Sequence, residues 1–114
     1  MKLLTKEQEQ RLRNNGRWNA VRTAKGEEPE DFSPVVKLFC PWSAATWLLT
    51  EIDPEEPDIA FGLCDLGVGS AELGSVSLSE ISAVVGPAGL RVERDFHFRP
   101  RLTLKGYAAA ARQR

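Results

Sequence analysis

Hydrophobic positions fall into short blocks, and the blocks are separated by proline, glycine and clusters of acid. Two blocks dominate the middle of the chain, 45–52 and 59–66, with Asp53-Pro54-Glu55-Glu56-Pro57-Asp58 between them. The two-residue period of a strand sends Trp47 and Leu49 one way and Thr46, Leu48, Thr50 and Ile52 the other. In the second block Ile59, Phe61 and Leu63 oppose Ala60, Gly62, Cys64 and Leu66. No face is strongly polar in its middle, which predicts central strands covered on both sides. Two prolines forbid a continuing ladder and the aspartates favour a turn, so the blocks read as a hairpin with an acidic tip. Trp47 and Phe61 are expected on neighbouring extended segments, both buried at the centre of one sheet. A helix over 46–53 is the rival reading, and the stop at Pro54 favours the strand.

The remaining pattern surrounds this hairpin. Thr5-Lys6-Glu7-Gln8 has the form of a capping box and predicts a helix from Lys6 to about Asn14, ended by Asn15-Gly16. Trp18 and Val21 read as a short apolar anchor. Residues 25–33 (KGEEPEDFS) predict a polar, mobile loop. A strand is expected over Pro34–Cys40, stopped by Pro41, and a short one over Leu73–Ser77. Ser77-Leu78-Ser79-Glu80 repeats the capping-box form and opens a short helix to Val85, which Gly86-Pro87 ends. Leu90–Phe98 alternates and predicts a last strand. Thr103 caps a helix over Leu104–Arg112. This order predicts an α+β fold: a mainly antiparallel sheet of about four or five strands with an N-terminal, a short middle and a C-terminal helix.

Composition narrows the class. The 114 residues suit a single domain, 1–114, able to bury a core without staples. No apolar run reaches the roughly 20 residues that span a bilayer, and the first residues turn charged too early for a secretory signal. A cytoplasmic protein with no membrane contact is therefore expected. Cys40 and Cys64 read as reduced core thiols, with a disulfide or a catalytic thiol as the alternatives. Two cysteines and one histidine do not make a zinc site, and neither a bound metal nor a cofactor is expected. Charge changes the picture most. Residues 1–26 hold seven Lys/Arg against two Glu (+5), 27–66 one Lys against ten Asp/Glu (−9), 67–90 two Glu (−2), and 91–114 seven Lys/Arg against two acids (+5). Basic ends around an acidic middle predict a dipolar surface able to meet a charged protein or nucleic-acid partner. Opposite charges that neutralise each other across a solvated surface are the plainer reading.

Much of the chain resembles a known bacterial family. The strings ATWLLTEIDPEEPDIAFGLCDLG and ELGSVSLSE, with GLRVERDFHFRP and an alanine-rich end after them, are similar to a domain of unknown function, number 2958, from about Leu3 to Ala111. The resemblance implies a small bacterial cytosolic protein carried on plasmids or other mobile elements. It implies no activity and no catalytic residues. Some relatives carry names suggesting a single-strand nuclease or a lipoprotein, and neither cysteine here follows a signal peptide.

Three constellations are candidates for chemistry. On a strand, Glu93, Asp95 and His97 share one face and span about 14 Å at ~3.4 Å per residue, enough to hold a divalent metal or to act as an acid–base pair. The solvent face of an edge strand explains them equally. Asp53, Glu55, Glu56 and Asp58 form an oxygen-rich tip that lacks the spacing of a helix–loop–helix calcium site. The tip fits a basic partner, or no partner at all. Arg94, Arg99 and Arg101 interleave with Phe96 and Phe98, a pattern on which unpaired bases stack, although both phenylalanines also fit a core. Asp65 is placed to cap the Gly67–Gly69 turn. The sequence thus points to a non-enzymatic interaction module acting through surface charge, with a metal-dependent nuclease acting on single-stranded DNA as the alternative.

Overall fold

Thr5 opens the first helix with both halves of a capping box. Its hydroxyl accepts from the Gln8 amide at 3.0 Å, and the Gln8 side chain accepts from the Thr5 amide at 3.0 Å. The helix, α1, runs Lys6–Ala24 and does not stop at Asn15-Gly16. Those two residues continue it because each meets the sheet. Asn15 Nδ2 donates to the Thr50 carbonyl at 2.9 Å. A Cβ on Gly16 would lie 1.8 Å from the Ile52 carbonyl oxygen, so only glycine lets the helix backbone approach this closely. Leu12, Gly16 and Asn19 form the buried stripe at helical spacing. Trp18 and Val21 point away from it and are 53% and 51% exposed, so they anchor nothing within the described fold.

A computed structural model describes residues 2–113; Met1 and Arg114, the ends of the expected domain, lie outside the described residues. Five antiparallel strands form one sheet: β1 (Val36–Phe39), β2 (Thr46–Ile52), β3 (Ile59–Asp65), β4 (Glu72–Ser77) and β5 (Glu93–Arg94), in the order β4-β3-β2-β1-β5. Helix α2 (Leu78–Ala83) follows β4 and ends two residues before the expected Val85, and α3 (Leu104–Arg112) closes the chain. The α+β class and its three helices are as the pattern predicts. The central hairpin is also present, since β2 and β3 pair from Thr46↔Asp65 to Ile52↔Ala60.

The register holds one surprise. It shifts between Leu49↔Gly62 and Glu51↔Phe61, so Thr50 is the extra residue of a bulge. The bulge reverses the alternation, and Ile52 joins Trp47 and Leu49 on the α1 side instead of facing away with Leu48. A bulged residue leaves the ladder, and Asn15 supplies the donor that the Thr50 carbonyl needs. Leu12, Leu38, Leu49, Ile52 and Ala60 fill the layer between α1 and the sheet, joined by Ile81 of α2. Leu48 and Leu63 pack on Leu104 and Ala108 of α3 across the other face. Each such leucine stabilises the fold by about 1.5–3 kcal/mol. Trp47 is buried as expected, but Phe61 is 36% exposed and pairs with Glu51, near the other end of the hairpin from the Trp47↔Cys64 pair.

Connections carry the positioning contacts. The 25–33 segment crosses from α1 towards α3. Asn19, itself buried, accepts from the Glu30 amide at 2.7 Å and donates to the Glu30 carbonyl at 3.2 Å. Farther along, the Leu104 amide donates to the Phe32 carbonyl and the Lys105 amide to Asp31. Both cysteines are free thiols, Cys40 buried and Cys64 half-buried. Burial, then the negative charge of Asp65, pushes the Cys64 thiol above its ordinary value, which lowers its thiolate fraction. Among the described residues no helix is long and apolar enough to cross a membrane.

Candidate functional site

The expected strand over Leu90–Phe98 shrinks to Glu93–Arg94, which pairs with Phe39 and Leu38. Asp95 ends it. The Asp95 amide still donates to the Lys37 carbonyl at 3.0 Å, and then the chain turns: Asp95 Oδ1 accepts from the His97 amide at 2.9 Å, and the Phe98 amide donates to the Asp95 carbonyl at 3.4 Å. An aspartate that bonds the backbone two residues on mimics a turn, so local chemistry overrides the alternation. Glu93, Asp95 and His97 therefore do not share one strand face. Asp95 lies 4.0 Å from Lys37 Nζ, and His97 is exposed. Among the described residues no three His, Cys, Asp or Glu side chains come together as a metal would require.

The same turn separates the two phenylalanines. Phe98 packs under α3, its ring centroid 6.3 Å from that of Tyr107. Phe96 is 64% exposed and carries the Arg94 guanidinium 5.1 Å above its ring centroid, so it is not a core residue. Arg94 Nη1 donates to the Lys2 and Leu3 carbonyls at 3.0 and 3.2 Å, which ties the chain's beginning to β5. Its Nε is buried with no hydrogen-bond partner among the described residues. Arg99, whose Nη1 donates to the Phe98 carbonyl, and Arg11 of α1 line the same cleft of about 330 Å³ with Arg94 and Phe96. Glu7 and Asp95 are the acids on its lining. Arg101 stands outside that lining, its amide donating to the Tyr107 hydroxyl at 3.0 Å. Arg11 was not singled out from the sequence; nothing in its neighbourhood announces that α1 would lay it beside residues 94–99.

The acidic tip divides into structural and displayed residues. Asp53 Oδ1 accepts from the Glu55 amide at 2.8 Å and closes the turn. Asp58 binds the beginning of α2, accepting from Ser77 Oγ at 2.6 Å and from the Ser79 amide and hydroxyl at 2.8 Å each. The hydroxyl of Ser77, then those groups of Ser79, hold its carboxyl below the ordinary value. Glu55 and Glu56 are exposed at the tip itself. Asp65 Oδ1 accepts from the Gly67 amide at 2.9 Å, the cap its position predicts. One carboxylate outside the candidate constellations matters more. Glu51 is half-buried, accepts from Asn19 Nδ2 at 3.0 Å, and is pushed above the usual range by burial, against the lowering effect of its bonds to Asn19 and Thr50.

A single antiparallel sheet between helices, with a cleft at the β5 edge, defines a small α+β protein whose surface features are clefts and charge. The chain belongs to the family described as "Protein of unknown function (DUF2958)", whose model matches residues 3–114. No curated protein and no solved structure matches the chain.

Proposed function

We infer that the protein is a non-enzymatic interaction module whose cleft at Arg11, Arg94, Phe96 and Arg99 takes single-stranded nucleic acid. One observation carries this reading: an exposed phenylalanine ring, held under a guanidinium, stands among three arginines in one cleft. Arginines meet phosphates and a ring face accepts any base, which suits sequence-tolerant binding of a single strand. The α1 N-terminus, with Thr5 and Gln8 on the lining, adds the positive end of a 19-residue helix. The nuclease alternative loses its support where the strand beneath Glu93, Asp95 and His97 ends at Arg94. A cytoplasmic accessory role on a bacterial mobile element rests on the family resemblance alone.

Fluorescence anisotropy with a labelled oligothymidine tests the reading. Three phosphate contacts give a slope of log affinity on log salt of about −2, so binding weakens roughly fifteen-fold between about 50 and 200 mM salt. Phe96→Ala weakens binding about ten-fold through lost stacking, and Arg99→Glu weakens it further. Salt-independent binding, or variants that bind as the parent does, contradicts the assignment.

A further inference from the structure

A second concavity lies at the far end of α1, where the two acidic segments of the chain meet. Glu51 and Phe61 stand side by side in the β2–β3 pair, and both line two adjoining hollows of about 500 and 350 Å³. The larger hollow is walled mainly by apolar groups, among them Ala20, Ala24, Pro54 and Ile59. The smaller gathers Glu28, Glu30, Asp31 and Glu51 around Phe32 and Leu73, with Lys105 as the one cation on its lining among the described residues. Asn19 holds the arrangement in place, since its amide bonds both Glu51 and the Glu30 backbone. The half-exposed Phe61 ring forms the divide between the two hollows.

We propose that this groove binds an extended basic segment of a partner protein, with a Lys or Arg side chain in the acidic hollow against Glu51 and a neighbouring apolar side chain in the hollow beneath Pro54. Charge complementarity names the occupant. Four acidic residues and one lysine line the smaller hollow among the described residues, so a cationic group gains where an anionic or neutral one does not. A carboxylate drawn partly out of water binds a cation more strongly than one on an open surface, and the aliphatic stem of Lys or Arg covers the Phe61 ring as its head reaches Glu51. The Pro29 and Pro54 rings border the larger hollow and give an apolar side chain a rigid seat. The groove is separate from the arginine cleft and does not depend on the reading of that cleft.

The test uses the full chain, isotope-labelled, and a labelled peptide of alternating leucine and arginine. The amides of Glu30, Glu51 and Phe61 shift on titration, while those of Phe96 and Arg99 stay in place. Glu51→Gln weakens the peptide about ten-fold, about 1.4 kcal/mol, through loss of the charge that the ligand cation meets. A Glu28→Gln/Glu30→Gln double variant, which changes only exposed side chains, weakens it by a similar factor and melts as the parent does. An alternating leucine and glutamate peptide does not bind. Arg99→Glu leaves peptide binding intact, which distinguishes this site from the cleft. Shifts that map elsewhere, variants that bind like the parent, or groove amides that respond instead to protein concentration, the mark of a second copy as occupant, would overturn the proposal.

Discussion

The arginine cleft and the acidic groove lie towards opposite ends of α1 and are built on opposite plans. The cleft draws its charged groups from towards the chain's ends, over a floor of Pro34–Val36: residues 5–11 and 94–100 are distant in sequence, and Arg94 joins them through the Lys2 and Leu3 carbonyls. The groove is assembled from the middle, where the 28–32 segment is laid against β2 and β3 by Asn19. In the cleft Arg11, Phe96 and Arg99 are exposed and Arg94 is half-buried, with Glu7 and Asp95 as neighbouring acids. In the groove the key carboxylate is desolvated and held. The difference teaches how a chain with a net charge of −1 makes two charged surfaces. Folding sorts the charges instead of cancelling them, and one helix serves as the wall of both sites.

That shared wall gives the largest expected effect. Gly16→Val places a branched side chain against the Ile52 carbonyl and forces α1 off the sheet. Overpacking costs about 1–3 kcal/mol or more, only partly offset by the gain of less than about 1 kcal/mol from replacing a helical glycine. A fall in melting temperature of roughly 4–12 °C follows, with both ligands weakened together. If only one weakens, the two regions do not share α1 as their frame.

Next comes the behaviour of the two held carboxylates with pH, which is opposite in sign. Glu51 titrates above its ordinary value of 4.5, so the folded state holds its proton more tightly than the unfolded state. Stability is therefore lost as pH rises from 4.5 through the raised value, and the cost persists above it. Glu51→Gln removes that cost, so the variant melts higher than the parent near pH 7 and loses the advantage as pH falls below 4.5. Asp58 titrates below 3.8. Its contribution is present above 3.8 and is lost as pH falls through the lowered value. Asp58→Asn melts lower than the parent near neutral pH, and the gap closes in acid. Thermal melts over a pH series read both, and equal signs would contradict the assigned environments.

The smallest effect is at the tip. Glu55→Gln and Glu56→Gln leave stability within about 0.5 kcal/mol of the parent, as surface changes do. They also leave peptide affinity close to the parent value, because neither residue lines the groove. A large loss of peptide binding in this double variant would move the acidic site from the groove to the tip.

Much of the fold was legible because its signals are local. Thr5 and Gln8, Ser77, Thr103, and the prolines around the acidic turn act on backbone groups within a few residues, and all of them stand where the pattern puts them. What escaped depends on contacts made across the fold. Asn15-Gly16 looks like a helix stop until β2 supplies a carbonyl for Asn15 and a close neighbour for Gly16. The reversal at Thr50 leaves no mark in a row of apolar residues, and it moved Ile52 to the other face. The 90–98 alternation was real as a pattern, but Asp95 turned it into a bend and so dispersed Glu93 and His97. The candidate sites suffered from the same cause. Arg94 and Arg99 were legible as a basic, aromatic run, whereas Arg11, Glu51 and Phe61 gained their roles only from elements dozens of residues away.

The central claim is that one small domain carries two separate binding surfaces of opposite charge. Titrating the labelled protein first with oligothymidine and then with the leucine–arginine peptide, following backbone amides throughout, tests it most directly. Two separate surfaces give two disjoint sets of shifts, one around Arg11, Arg94, Phe96 and Arg99 and the other around Glu30, Glu51 and Phe61, with both ligands bound at once. Overlapping sets, or a cleft and groove that both stay silent, would contradict it.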